Sequence, residues 1–278
     1  MGRLAGKVAF ITGAGREQGR RHAVRLAEEG ADIIAVDAAA PAGIDPSPSA
    51  PGGLAETARL VERAGRRVVA VRADVRDAAA LTAAVDQGVA ELGRLDIVLA
   101  DAGTVDPLAV LEEAEQTWQH AIDGRLIGVW RIIKASVPHL MSGGRGGSVV
   151  ITTPPATPLT AGRSAGRSDG RAPHGGTAQA WLIPLIQVLA EELDPYGVRV
   201  NAVHHETAAD DGVLGGPVSP ALTRMPVETP DPDDITNAVM YLVSDDGCYV
   251  SGTMHVVGAR DDRWAAGPRM ADAQTAGC

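Results

Sequence analysis

Two rhythms of apolar and polar positions alternate along the chain. Short apolar runs, Val8 to Thr12, Ala31 to Val36, Arg67 to Arg72, Asp96 to Ala100, Ser148 to Thr152, Val198 to Val203 and Thr253 to Val257, read as buried strands. Between them, residues 19–29, 54–65, 78–92, a long stretch within 112–141, 176–193 and 231–244 carry apolar positions at helical spacing, and Gly30 stops the first of these helices. Strand and helix in strict alternation predict an α/β domain with a doubly wound, seven-stranded parallel sheet and helices on both faces. Three stretches break the rhythm: a Pro/Gly/Ser/Ala-rich insertion at 38–53, a Gly/Arg/Ser/Pro-rich loop at 154–175, and an Asp/Arg/Ala tail at 260–278. One domain over residues 1–259, followed by the tail, is the expected organisation.

Composition narrows the picture. At 278 residues and 45% hydrophobic content the chain can bury one sizeable core. Aromatic residues make up 3%, so that core is built from small and branched side chains, as suits a sheet covered on both faces. A net charge of -10 offers no basic field for nucleic acid or an anionic membrane surface. The two cysteines, Cys248 and Cys278, lack metal-type spacing, and the opening MGRLAGKVAFITG lacks a signal-peptide pattern, so a reduced, cytoplasmic protein is expected. No run approaches the roughly 18 apolar residues of a membrane span.

The segment KVAFITGAGREQGRRHAVRLAEEGADIIAVD is followed in order by ADV at 73–75, DIVLADAG at 96–103, GGSVVITT at 146–153 and GVRVNAVH at 197–204. Over roughly residues 5–258 this series resembles the short-chain dehydrogenase/reductases, which implies a single-domain Rossmann fold. The insertion at 38–53, with LAETARLVERAGRRVVAVRADVRD behind it, is most similar to the NAD-preferring subgroup related to carveol dehydrogenases and often associated with mycofactocin.

The resemblance assigns cofactor positions. In the family's TGxxxGxG turn, glycines let the backbone approach a pyrophosphate and the helix N-terminus stabilises its charge. Thr12, Gly13 and Gly19 match, but Glu17 replaces the middle glycine, placing a carboxylate where the phosphate needs room, with Gly15, Arg16 and Arg20 as partial compensation. Asp37 falls where a carboxylate accepts from the adenosine ribose and favours NAD over NADP. Asp74 and Val75 match the adenine-contacting pair, though Asp74 reads equally as a helix cap.

The reactive positions differ from the family's. Its chemistry uses a tyrosine, a lysine four residues later, a serine and a helix asparagine. These fall on Gly175, Gln179, Pro154, with Thr153 beside it, and Arg125. The tyrosines are Tyr196, Tyr241 and Tyr249 and the lysines Lys7 and Lys134, so no Tyr-x-x-x-Lys exists in the sequence. His205 and Glu206 replace a Pro-Gly turn, and Asp101 stands within the altered NNAG motif.

The strand ends beyond which a substrate binds in this fold gather Asp101, Arg125, Thr153, Asp169, His174, His204, His205, Glu206, Asp210 and Asp211. From these, His174, Arg125, Asp101, Thr153, His205 and Glu206 are the candidate catalytic residues. His174 is either a proton-transfer group or a solvated loop or N-cap residue; Arg125 either binds a substrate carboxylate or enolate or pairs with Asp101. Adjacent histidines on a strand point to opposite sides, so no metal is expected. The expectation is a non-redox enzyme of cyclase, isomerase or dehydratase type, acting on a largely apolar small metabolite and needing no cofactor or keeping vestigial NAD binding. A catalytically silent binding or assembly subunit and an NAD-dependent oxidoreductase with a substitute acid/base are the alternatives. The family resemblance further implies a homotetramer, then a dimer, through the helices within 112–141 and 176–193.

Overall fold

The structure, a computed structural model, describes residues 2–38, 53–101, 123–153, 173–205 and 231–257, giving the backbone alone at 125, 173–181 and 205. Most of the 38–53 insertion, the 154–172 loop and the tail lie outside these residues.

Seven parallel strands form one sheet in the order β3-β2-β1-β4-β5-β6-β7. They are β1 Val8–Thr12, β2 Asp32–Asp37, β3 Val68–Arg72, β4 Ile97–Asp101, β5 Gly147–Thr153, β6 Val198–His205 and β7 Met254–Val257. The described helices are α1 Glu17–Glu28, α2 Gly53–Arg63, α3 Ala78–Leu92, α4 Gly128–Ser142, α5 Pro173–Leu193 and α6 Pro232–Val243, with a π-helical turn Asp123–Ile127 leading into α4.

The two-residue period of each strand sorts the core into two layers. Phe10, Ile34, Val98 and Val149 meet α3, α4 and α5 through Leu81, Val85, Ile132 and Ile186. Their strand neighbours Ala9, Ile11, Ile33 and Leu99 face the other way, onto Leu26, Val61 and Val239 of α1, α2 and α6. Burying each large side chain contributes about 1.5–3 kcal/mol, which makes these continuous apolar runs incompatible with an exposed sheet face.

Strand order reverses between β1 and β4, and the crevice at that switch point is where open α/β sheets bind ligands. β1 pairs with β2 through Thr12↔Val36, while Asp101 of β4 pairs with Thr152 of β5, so these ends share one rim. β6 runs two residues beyond its apolar run, because His204 pairs with Thr153 of β5 and His205 with Val257 of β7. Backbone pairing, not hydrophobicity, carries both histidines to the rim.

Candidate active site

The turn after β1 is shaped by glycines. Gly13 sits at φ +67, and a Cβ on Gly19 would lie 2.2 Å from the Gly13 carbonyl oxygen, so helix α1 packs directly on the turn. A Cβ on Gly15 would stand 2.8 Å from Asp37 Oδ2 and 3.2 Å from the Leu54 nitrogen, a gap that closes against any larger residue. The N-cap of α1, Arg16, makes no side-chain capping hydrogen bond. By contrast, Asp77 caps α3 by accepting from the Ala79 and Ala80 nitrogens, and Asp231 caps α6 within a capping box. The first N–H groups of α1 are thus without a capping side chain and face the crevice end of β1, which is the arrangement that holds a phosphate.

Glu17 does not obstruct this turn as expected. Its side chain is 77% exposed and takes Arg21 one helical turn on, at 3.1 Å, so the carboxylate projects from α1 into solvent. Nor does Arg20 reach toward a phosphate: its Nε donates to Thr57 Oγ1 at 3.1 Å and its Nη2 to the Gly53 carbonyl at 3.0 Å, fastening the start of α2. Thr57, which the sequence reading missed, is buried and donates to the Ala14 carbonyl at 2.7 Å, tying α2 to the glycine turn.

Asp37 ends β2 with 8% exposure. Its Oδ2 accepts from the Gly15 N–H at 3.0 Å and its Oδ1 faces Arg16 Nε at 3.8 Å. A carboxylate fixed at this strand end is suited to accept from ribose hydroxyls and repels a 2′-phosphate. Asp74 is engaged locally: Arg76 forms a fork on it and its Oδ1 accepts from the Arg76 backbone nitrogen at 2.8 Å. That hydrogen-bonded guanidinium holds the Asp74 carboxyl below the usual carboxylate range. Of the two readings of Asp74, the helix cap falls to Asp77 instead. Val75 lies against Gly128 at the start of α4, where a Cβ would come within 3.1 Å of its Cγ2.

At the other side of the crevice, the Asp101 N–H donates to Thr12 Oγ1 at 3.1 Å, and Asp101 Oδ1 accepts from Thr152 Oγ1 at 2.5 Å. Enclosure by protein atoms raises the Asp101 carboxyl above its ordinary range; the Thr152 hydrogen bond and the charge of Arg16 act against this, and the charge of Asp37 adds to it. Thr153 and His204 are buried and joined between Thr153 Oγ1 and His204 Nδ1 at 2.9 Å. The backbone places Arg125 in the π-helical turn, His174 in the first turn of α5 and His205 at the end of β6. Glu206, Asp169, Asp210 and Asp211 lie outside the described residues. The structure therefore brings together Gly13, Gly15, Arg16, Gly19, Asp37 and Asp101 around one turn, and sets Thr153 with His204 two strands away.

A family profile described as Enoyl-(Acyl carrier protein) reductase matches residues 13–259. A (-)-trans-carveol dehydrogenase of Rhodococcus erythropolis is 38% identical over 91% of this chain and 96% of its own length. Carveol dehydrogenase from Mycobacterium avium, solved in complex with NAD, superposes with a TM-score of 0.78 at 44% identity, covering 93% of this chain and 98% of that one. A short chain dehydrogenase from Mycobacterium paratuberculosis bound to NAD gives 0.77 at 36% identity, over 92% and 97%.

These likenesses correct two expectations. Relatives matched along nearly their whole length are dehydrogenases, which overturns the expected non-redox cyclase, isomerase or dehydratase. Solved relatives hold NAD, which overturns the expectation that no cofactor is required. For the cofactor the physical reason is at Glu17: reading it as an obstruction assumes that its side chain enters the phosphate space, whereas on α1 it points to solvent.

Proposed function

The chain belongs to the short-chain dehydrogenase/reductase family, and from that membership we propose that it is an NAD-dependent oxidoreductase that interconverts a secondary alcohol and its ketone on a small, largely apolar substrate. The observation that carries this reading is the Asp37 carboxylate fixed by the Gly15 N–H beside the uncapped start of α1. In it, Gly13, Gly15, Arg16 and Gly19 form the diphosphate turn, Asp37 accepts from the adenosine ribose, and Asp74 and Val75 border the adenine. NAD bound there would accept the hydride from the alcohol carbon.

The proton is left to the protein. Because no Tyr-x-x-x-Lys exists in the sequence, the hydroxyl proton leaves through another group. We assign that role to His174, whose backbone stands in the first turn of α5, next to the vacated tyrosine position Gly175. Arg125, Thr153, His205 and Glu206 supply substrate contacts, with Asp101 behind the turn. Turning the C–O bond into a carbonyl releases the O–H proton, which the imidazole would take, and a hydride, which bound NAD would take, so charge and electrons balance.

Carveol and related cyclic secondary alcohols are the first substrates to try, with NADH binding read by fluorescence and turnover by NAD reduction. Oxidation of at least one is expected, with His174→Ala lowering turnover by about 10²–10⁴-fold while NADH binding persists. Undiminished turnover in the variant would move the acid/base role elsewhere. The lost Tyr-x-x-x-Lys also favours a second reading, a silent binding subunit, which NADH binding without any turnover would support. Family membership further carries the proposal of a homotetramer, then a dimer, through α4 and α5, where Trp130, Ile183 and Val188 are 45%, 43% and 51% exposed. Light scattering reads this directly, and a monomer would refute it.

A further inference from the structure

Asp101 is set apart from the other carboxylates of the crevice. Asp37 has Arg16 within ion-pair range and Asp74 has Arg76, whereas among the described residues no cation pairs with Asp101. Two threonines hold the residue instead: its backbone N–H donates to Thr12 Oγ1, and its carboxyl accepts at Oδ1 from Thr152 Oγ1. Oδ2 lies under the glycine turn, 3.0 Å from where a Cβ on Gly13 would be. The charged and titratable described groups that face it are few. Arg16 stands in the turn and Asp37 at the end of β2, while His204 lies one strand further, tied to Thr153. Arg16 favours the ionised form, Asp37 disfavours it, and loss of water disfavours it most.

We infer that Asp101 couples proton uptake to dinucleotide binding. A diphosphate held at the Gly13 to Gly19 turn brings negative charge against the same turn that covers Asp101 Oδ2, in a part-buried setting where water screens it less than at the open surface. The complex therefore holds the Asp101 proton more tightly than the free protein does. By linkage, cofactor affinity falls as pH rises between the point where the free protein loses this proton and the point where the complex loses it. One proton taken up corresponds to a dissociation constant that rises up to about tenfold per pH unit in that window. The inference rests on the NAD-dependent reading above.

The experiment is a fluorescence titration with NADH from pH 5 to 9, on wild type, Asp101→Asn and Thr152→Val. Asparagine keeps the shape and removes the charge; valine removes the hydrogen bond that favours ionisation. Wild type is expected to weaken with pH, Asp101→Asn to bind with no such slope and at least as tightly at the alkaline end, and Thr152→Val to start weakening at a higher pH. A wild-type affinity flat with pH, or a slope unchanged in Asp101→Asn, overturns the coupling. The infrared band of a protonated carboxyl, present in free wild type and absent from Asp101→Asn, is the second readout. If no protein binds NADH while that band is present, the redox reading has failed, and the coupling with it, while the protonated Asp101 stands; if NADH binds and the band is absent at every pH, the fault lies with Asp101.

Discussion

Two glycines of one turn are constrained by different neighbours, and that difference separates binding from stability. At Gly19 an added methyl meets backbone, 2.2 Å from the Gly13 oxygen, and neither the turn nor α1 can give way cheaply. Gly19→Ala should lower stability by about 1–3 kcal/mol or more, the range for overpacking a tight contact. At Gly15 the methyl meets the end of the Asp37 side chain at 2.8 Å. The Leu54 nitrogen, 3.2 Å away, must also give slightly, but Asp37 moves as a side chain and not as backbone, so Gly15→Ala should lower the urea midpoint less than Gly19→Ala does and weaken NADH binding, through the displaced carboxylate. Equal losses of stability in the two variants would sink this distinction. Glu17 shows the same lesson from the sequence side: its identity was legible, its direction was not, since whether an α1 side chain enters or leaves the crevice depends on where the helix sits on the sheet.

At the scale of elements, strands were the most legible, because burial on both faces leaves an unbroken apolar run; β1 lies at Val8–Thr12 as its pattern implies. Helix starts were less so. Helix α1 begins at Glu17 and α5 at Pro173, earlier than the apolar periodicity, because a first turn is held by backbone geometry and carries few core contacts. The long helix read within 112–141 is described from Gly128, after a π-helical turn that leaves no signature in a 3.6-residue pattern. Contacts between distant elements were invisible. Arg20, Thr57 and Ala14 join α1, α2 and the glycine turn across 37 and 43 residues of sequence, and nothing local marks Thr57 as the link. Thr57→Val keeps the volume but strands the Ala14 carbonyl and the Arg20 Nε bond. It should cost about 1–3 kcal/mol of stability and weaken NADH binding as well, since the start of α2 abuts Gly15. Urea unfolding beside NADH titration checks both; a loss confined to stability would show that α2 does not help set the turn.

For the whole molecule, carboxylates of opposite character divide the pH dependence of stability. Asp74 and Glu29 are held low by hydrogen-bonded arginines, Arg76 and Arg3. Their contribution is present above their unfolded values, roughly 3.9 and 4.3, and is lost as pH falls through the folded ones. Asp101 has the reverse sign. Its folded value is raised by burial, so the folded state binds its proton more tightly than the unfolded chain does. What it contributes is fully present below about 3.9 and is lost as pH rises through the folded value. Asp101→Asn removes that alkaline loss and leaves the acid limb in place, because Asp74 and Glu29 keep their partners. In the absence of NAD, the variant should therefore match wild type at the acid end and gain on it with rising pH. The gain accrues at up to about 1.4 kcal/mol per pH unit and levels off once the Asp101 carboxyl of the folded protein is ionised. Urea midpoints at a series of pH values measure the difference, provided the denaturant slope stays equal in the two proteins. A stability difference that is constant with pH would mean that the substitution acts through packing against Thr152 rather than through charge.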